Sequence, residues 1–114
     1  MMNGKIVQDD SVKWYRNDQL HREDGPAVEW ANGARWWFIH GREHREDGPA
    51  VEWADGTRMW YINGHRHRED GPAVEWADGT RMWYINGKNY SFVNWLKQLD
   101  ITEEQRTLLM LKCS

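Results

Sequence analysis

The residues with chemical capacity recur along the chain. His44, Glu46 and Asp47 lie together, and the same set returns as His67, Glu69 and Asp70. An imidazole beside two carboxylates could hold a metal ion or move a proton. Two features weigh against both roles. Arg45 and Arg68 sit inside the runs, where they would repel a cation. Catalytic and metal sites also need unlike groups converging from fixed directions, whereas this run makes the same surface several times. The expectation is a charged loop whose Asp caps the Gly-Pro turn and whose Arg pairs with a carboxylate of a neighbouring repeat. No catalytic, metal-binding or cofactor-binding residue is assigned. An enzyme using these loops is the last of the alternatives.

The second set is aromatic and cationic: Trp30, Trp53 and Trp76 with Arg35, Arg58 and Arg81, followed by Trp60 and Trp83. Trp and Arg dominate interface hot spots, and a guanidinium over an indole is a favourable cation–π pair. These eight residues are the candidate partner-binding set. The competing reading is that the tryptophans are simply the core, with arginine stems lying over them.

The elements that must position these residues come from a repeat. The segment HREDGPAVEWADGTRMWYING occupies 44–64 and returns unchanged at 67–87, a period of 23. The copy at 21–41 differs at Asn32, Ala34, Trp36, Phe38 and His40, and Trp14-Tyr15 marks a partial unit before it. Within a unit, Ala50–Trp53 and Thr57–Ile62 read as short strands, divided by Asp55-Gly56 and ended by Asn63-Gly64. Both dipeptides tolerate positive φ and favour tight hairpin turns. A two-residue loop at Asp55-Gly56 would set Trp53 against Arg58; a three-residue loop would set Glu52 against Arg58. The choice exchanges the faces and stays open here. In such a stack each Trp is expected to pack on the copy one period away.

The pattern stops after Gly87. Phe92, Trp95, Leu96 and Leu99 follow helical spacing behind Ser91, a candidate N-cap. Thr102-Glu103-Glu104-Gln105 matches a capping box, predicting a second helix with Leu108, Leu109 and Leu111 on its apolar side. Asp100, Glu103 and Glu104 argue against a DNA-reading helix pair. The predicted fold is mostly β: a single-layer antiparallel β-hairpin array with a C-terminal α-helical cap. Its parts are an N-terminal segment with the partial repeat (1–20), three full repeats (21–89) and the cap (90–114).

Composition narrows the function classes. The chain of 114 residues carries 15 Lys and Arg against 18 Asp and Glu, which argues against a general phosphate-backbone binder, and no nucleic-acid partner is expected. Nine tryptophans argue for an ordered chain. No apolar run approaches a membrane span, and the opening residues lack the apolar stretch of a secretory signal. Cys113, the single cysteine, can make no internal disulfide. A cytoplasmic location is the expectation.

The hairpin unit, with its W-Y-x-N-G-x-x-H and later D-G elements, resembles the MORN (membrane occupation and recognition nexus) repeat. The G-x-x-H element stands as Gly41-Arg42-Glu43-His44 and Gly64-His65-Arg66-His67; the D-G element as Asp55-Gly56 and Asp78-Gly79, with Asn32-Gly33 in the first copy. The likeness covers about 12–89 and departs where Arg45 and Arg68 replace an expected glycine and in the Asp-Gly-Pro step. The pattern is that of divergent variants in bacterial and phage proteins, some described as antitoxins. The resemblance implies an elongated interaction scaffold and supplies no catalytic residue. Phospholipid binding, linked to MORN arrays, fits the acidic balance poorly.

The expected function is a non-enzymatic protein–protein interaction module, such as a small antagonist of a toxin or host protein. A glycan- or phospholipid-headgroup-binding repeat is the alternative, since Trp-Tyr hairpins are similar to cell-wall-binding modules. A homodimer is left open.

Overall fold

The computed structural model describes residues 1–113. Its strands are β1 (Gly4–Val7), β2 (Ser11–Arg16), β3 (Gln19–Leu20), β4 (Val28–Trp30), β5 (Arg35–Trp36), β6 (Phe38–Ile39), β7 (Arg42–Glu43), β8 (Val51–Glu52), β9 (Arg58–Met59), β10 (Tyr61–Ile62), β11 (His65–Arg66), β12 (Val74–Glu75), β13 (Arg81–Ile85) and β14 (Lys88–Tyr90). Helices α1 (Phe92–Gln98) and α2 (Glu103–Cys113) follow. The main sheet is an open antiparallel meander in the order β1-β2-β4-β5-β8-β9-β12-β13-β14, with β3 paired to β2. With the helices, the molecule measures 49 × 28 × 20 Å.

Each unit contains two hairpins, and each turn has a chemical cause. The first closes through three residues: Trp53 N–H donates to the Thr57 carbonyl and Gly56 N–H to the Trp53 carbonyl, with Gly56 at φ +96°. Only glycine takes that φ without strain. The Asp55 carboxylate accepts the Thr57 N–H at 2.9 Å and fixes the loop. The second hairpin turns through Asn63-Gly64, at φ 50° and 80°, the paired left-handed residues of a two-residue turn. His40-Gly41 and Asn86-Gly87 do the same.

The three-residue loop settles the register, with Glu52 opposite Arg58 and Val51 opposite Met59. Repeated across the sheet, this pairing sorts the side chains. One face carries the row Glu29, Arg35, Glu52, Arg58, Glu75, Arg81, with successive members directly opposite one another. The other carries Val28, Trp36, Val51, Met59, Val74 and Met82.

A second ladder runs beside the sheet. Gly41, Gly64 and Gly87 N–H groups donate to the Leu20, Glu43 and Arg66 carbonyls, tying each small hairpin to the unit before it. The repeat histidines brace the same turns: Nδ1 of His21, His44 and His67 accepts the N–H of His40, Asn63 and Asn86 at 2.9–3.0 Å.

The core departs from the expected tryptophan stack. Trp37 and Trp60 are separated by arginines, and Trp30 reaches Trp53 only through Trp36. Within the repeats the fully buried positions are instead small: Ala27, Ala50, Ala73, Val28 and Val74. An alanine lets the indole of the adjoining strand lie close to the backbone, as Trp60 does in the cluster around Ala73. Guanidinium planes fill the spaces between rings because position 45 or 68 is Arg where glycine would leave a gap.

The cap forms as its sequence dictates. Ser91 Oγ accepts the Asn94 N–H, and Thr102 and Gln105 exchange side-chain and backbone bonds in a full capping box. Trp95, Leu96 and Leu99 are buried with Cys113 against Trp83. Of the three predicted leucines of α2, only Leu109 packs there; Leu108 and Leu111 are exposed. Adjacent residues on a helix diverge by about 100°, so 108 and 109 could not share one narrow contact.

Candidate functional site

The eight candidate residues do not form one surface. Trp30, Trp53 and Trp76 belong to the apolar face; Arg35, Arg58, Arg81, Trp60 and Trp83 belong to the charged one. The strand period of two separates them, since Trp30 lies one residue from Glu29 and Trp60 lies two from Arg58.

On the charged face the organising residues are ones the sequence reading treated as loop charges. Arg45 lies 3.9 Å from the Trp37 ring centre; its Nε donates to Asp47 at 3.0 Å, and one terminal nitrogen donates to the Pro49 carbonyl at 3.0 Å and Glu52 at 3.3 Å. Arg68 repeats this on Trp60, Asp70, Pro72 and Glu75 at 3.8, 2.8, 3.0 and 2.9 Å. Arg22 does so on Trp14, Asp24 and Pro26, with Glu29 more distant at 3.9 Å. Arg22 holds the Asp24 carboxyl below its usual range. So Asp47 and Asp70 bind the arginine instead of capping the turn. The carboxylate met by Arg45 is in its own unit, and the bridge to the next unit comes from Arg35 to Glu52 and Arg58 to Glu75, at 2.7 and 2.5 Å. The available signal was spacing: Trp14/Arg22, Trp37/Arg45 and Trp60/Arg68 are each eight apart.

The candidate arginines reach the same rings more loosely, Arg35 at 5.6 Å from Trp37, Arg58 at 5.6 Å from Trp60 and Arg81 at 5.8 Å from Trp83. Trp83 itself is buried beneath the cap, in contact with Phe92 and Trp95.

His21, His44 and His67 each hold a turn through Nδ1. With Nδ1 accepting a backbone N–H, that nitrogen must be unprotonated. His21 is almost wholly buried; burial, then Arg16 and His40, pushes its pKa below the usual imidazole value. Among the described residues no three His, Cys, Asp or Glu side chains converge as metal ligands would.

The apolar face is less complete. Trp36 meets Trp30 and Trp53 edge to face, at 5.3 Å between ring centres in both pairs. Beyond them Trp53 remains 43% exposed and Trp76 41% exposed. Trp36, Val51, Trp53, Met59 and Tyr61, with the Glu43 carboxylate, line a shallow depression of about 170 Å³. Among the described residues no helix is long and apolar enough to cross a membrane.

No protein-family model, curated protein or solved structure matches the chain.

Proposed function

We propose that this protein is a non-enzymatic interaction scaffold whose apolar sheet face binds a protein partner in the cytoplasm. The observation that carries this reading is the half-exposed pair Trp53 and Trp76 on the apolar face of an open sheet. A large rigid indole loses little conformational freedom on binding and brings much apolar area, so Trp is favoured at interface centres. The neighbouring rings hold Trp53 in place before a partner arrives. Repetition of the strand pair widens the patch without requiring a larger core. A MORN-variant array acting as a small antagonist of a toxin or host protein is the finer form of this proposal, and it rests on the hairpin resemblance alone.

The test is affinity capture from the native host, comparing wild type with a Trp53→Ser, Trp76→Ser variant shown by circular dichroism to remain folded. Wild type is expected to recover a defined protein that the variant does not. Equal recovery by both would remove the apolar face from the interface. Binding to a glycan array, with no protein captured, would replace the reading with a sugar-binding one.

A further inference from the structure

The shallow depression on the apolar face lies where the repeat is broken. Residues 44–64 and 67–87 are identical, but the first unit has Trp36 where they have Met59 and Met82, and Phe38 where they have Tyr61 and Tyr84. Its second hairpin carries Glu43 where the next unit has Arg66. All three departures line the depression of about 170 Å³, with Phe38 beside the residues already named. One unit later the same positions satisfy each other. Arg66 Nε donates to the Tyr61 hydroxyl and a terminal nitrogen to the Tyr84 hydroxyl, both at 3.2 Å, and the guanidinium lies 5.3 Å from the Tyr84 ring centre. In the first unit the hydroxyl at 38 and the cation at 43 are both gone, and a carboxylate stands instead.

Elsewhere on the sheet the repeat carboxylates are taken, Glu52 by Arg35 and Arg45, Glu75 by Arg58 and Arg68. Glu43 is half-buried and pairs with no cation among the described residues. Nor does a cation lie over the rings of Trp36, Phe38, Trp53 or Tyr61 among those residues. Lys13 lies on Trp30, and Arg66 lies on Tyr84 while reaching the Tyr61 hydroxyl. Four aromatic rings around one unpaired carboxylate attract a positive charge, because ring faces are electron-rich and the carboxylate supplies the opposite ion. Trp36 and Trp53 stand at 71° to each other, so they form a corner instead of a flat stack. The kind of cation follows from the acceptors. A guanidinium or primary ammonium brings several N–H donors, and each needs a partner. Here Glu43 is the one carboxylate, the Tyr61 hydroxyl already accepts from Arg66, and Val51 and Met59 offer apolar contact. An ammonium carrying only carbon substituents has no N–H to leave unpaired and suits those neighbours. The space is that of a headgroup, since whole drug-sized ligands take about 300–1,000 Å³. With 15 Lys and Arg against 18 Asp and Glu, the chain has no electrostatic draw to a membrane surface, which favours a free solute over a lipid.

We propose that this depression binds a free quaternary ammonium compound, with its trimethylammonium group among Trp36, Phe38, Trp53 and Tyr61 and Glu43 as the counter-ion. The site shares Trp53 with the face assigned to a protein partner and does not rest on that assignment.

The probe is choline chloride, titrated calorimetrically into the full chain at constant ionic strength, with NMR of the indole N–H groups to locate it. A dissociation constant of about 1 mM or tighter is expected, with shifts at Trp36 and Trp53. Dimethylbutanol, the neutral carbon isostere of choline, should bind at least about tenfold more weakly, and Glu43→Gln should weaken choline about fivefold. The triple variant Trp36→Met, Phe38→Tyr, Glu43→Arg gives the first unit the residues that the second carries at the same positions. Shown by circular dichroism to remain folded, it should lose choline binding. Trp76→Ser, outside the depression, should bind choline as wild type does, whatever it does to partner capture. No heat at about 10 mM choline, equal affinity for the neutral isostere, unchanged affinity in the triple variant, or binding confined to phosphatidylcholine vesicles would each overturn the proposal.

Discussion

The two faces of the sheet are built from the same strands yet are finished to different degrees. On the charged face, every internal unit closes a circuit in which a guanidinium lies on an indole, two carboxylates hold it and a proline carbonyl accepts a hydrogen bond from one of its terminal nitrogens. On the apolar face, Val28, Val51, Met59 and Val74 are buried, while Trp53 and Trp76 at its margin meet water. The difference teaches where a one-layer fold puts its stability. A sheet without a second layer cannot exclude water by thickness, so it does so locally, by laying planar cations on planar rings. Arginine suits this because its fork bonds in the plane while its face stacks, which lysine cannot do.

Removing the organising arginine should therefore have the largest effect. Arg68→Ala deletes the stack on Trp60 and the bonds to Asp70, Pro72 and Glu75 together. A loss of about 2–3 kcal/mol in urea unfolding is expected, with Arg68→Lys recovering less than half. Trp53→Ala on the other face should cost about 1 kcal/mol, since much of that ring already meets solvent. If Trp53→Ala proved the costlier change, the contrast between the faces would collapse. Arg35→Ala should cost only about 0.5 kcal/mol by the same measurement, because its guanidinium is half exposed and its ring contact is loose.

The smallest effects are those of pH, and they sharpen the contrast because the groups concerned lie outside the apolar face. The pKa of His21 is lowered from 6.5, so the unfolded chain takes up its proton first. Its contribution to stability is complete above that value and declines as pH falls below it toward the folded pKa. Asp55 and Asp78 are held below 3.8 by accepting the Thr57 and Thr80 N–H groups, and their contribution is lost as pH falls through the lowered values. Urea midpoints should thus decline in two steps on acidification, and His21→Ala should remove the first.

Much of this architecture was legible in the chain. The period, the Asn-Gly turns, the capping box and the helical stripe through Trp95 are local signals, and local geometry honours them. The register was not legible, because it depends on whether Asp55-Gly56 closes a loop of two residues or three, and that in turn exchanges the faces. Consequently the candidate set mixed residues from both sides of the sheet: Trp53 and Arg58 are close in sequence and point apart. The role of Arg45 was hidden for a different reason. A charged loop is ordinarily solvated, and nothing in composition shows that the loop folds back over Trp37. The substitution of Ser91 for the periodic arginine was visible, yet its meaning required seeing Phe92 and Trp95 in the vacated place.

The glycine tips, each bonded to the carbonyl one unit back, have a consequence for how such a molecule can change. Because residues 44–64 and 67–87 are identical, excising 44–66 would join Glu43 to His67 in an unaltered setting. The cap would still rest on Trp83, with one hairpin unit fewer. Duplication would do the reverse, adding two main-sheet strands and about 10 Å of length. The number of hairpin units is thus an integer set by how many times a short stretch of gene is copied, and it can be altered in a single recombination without any new contact having to evolve.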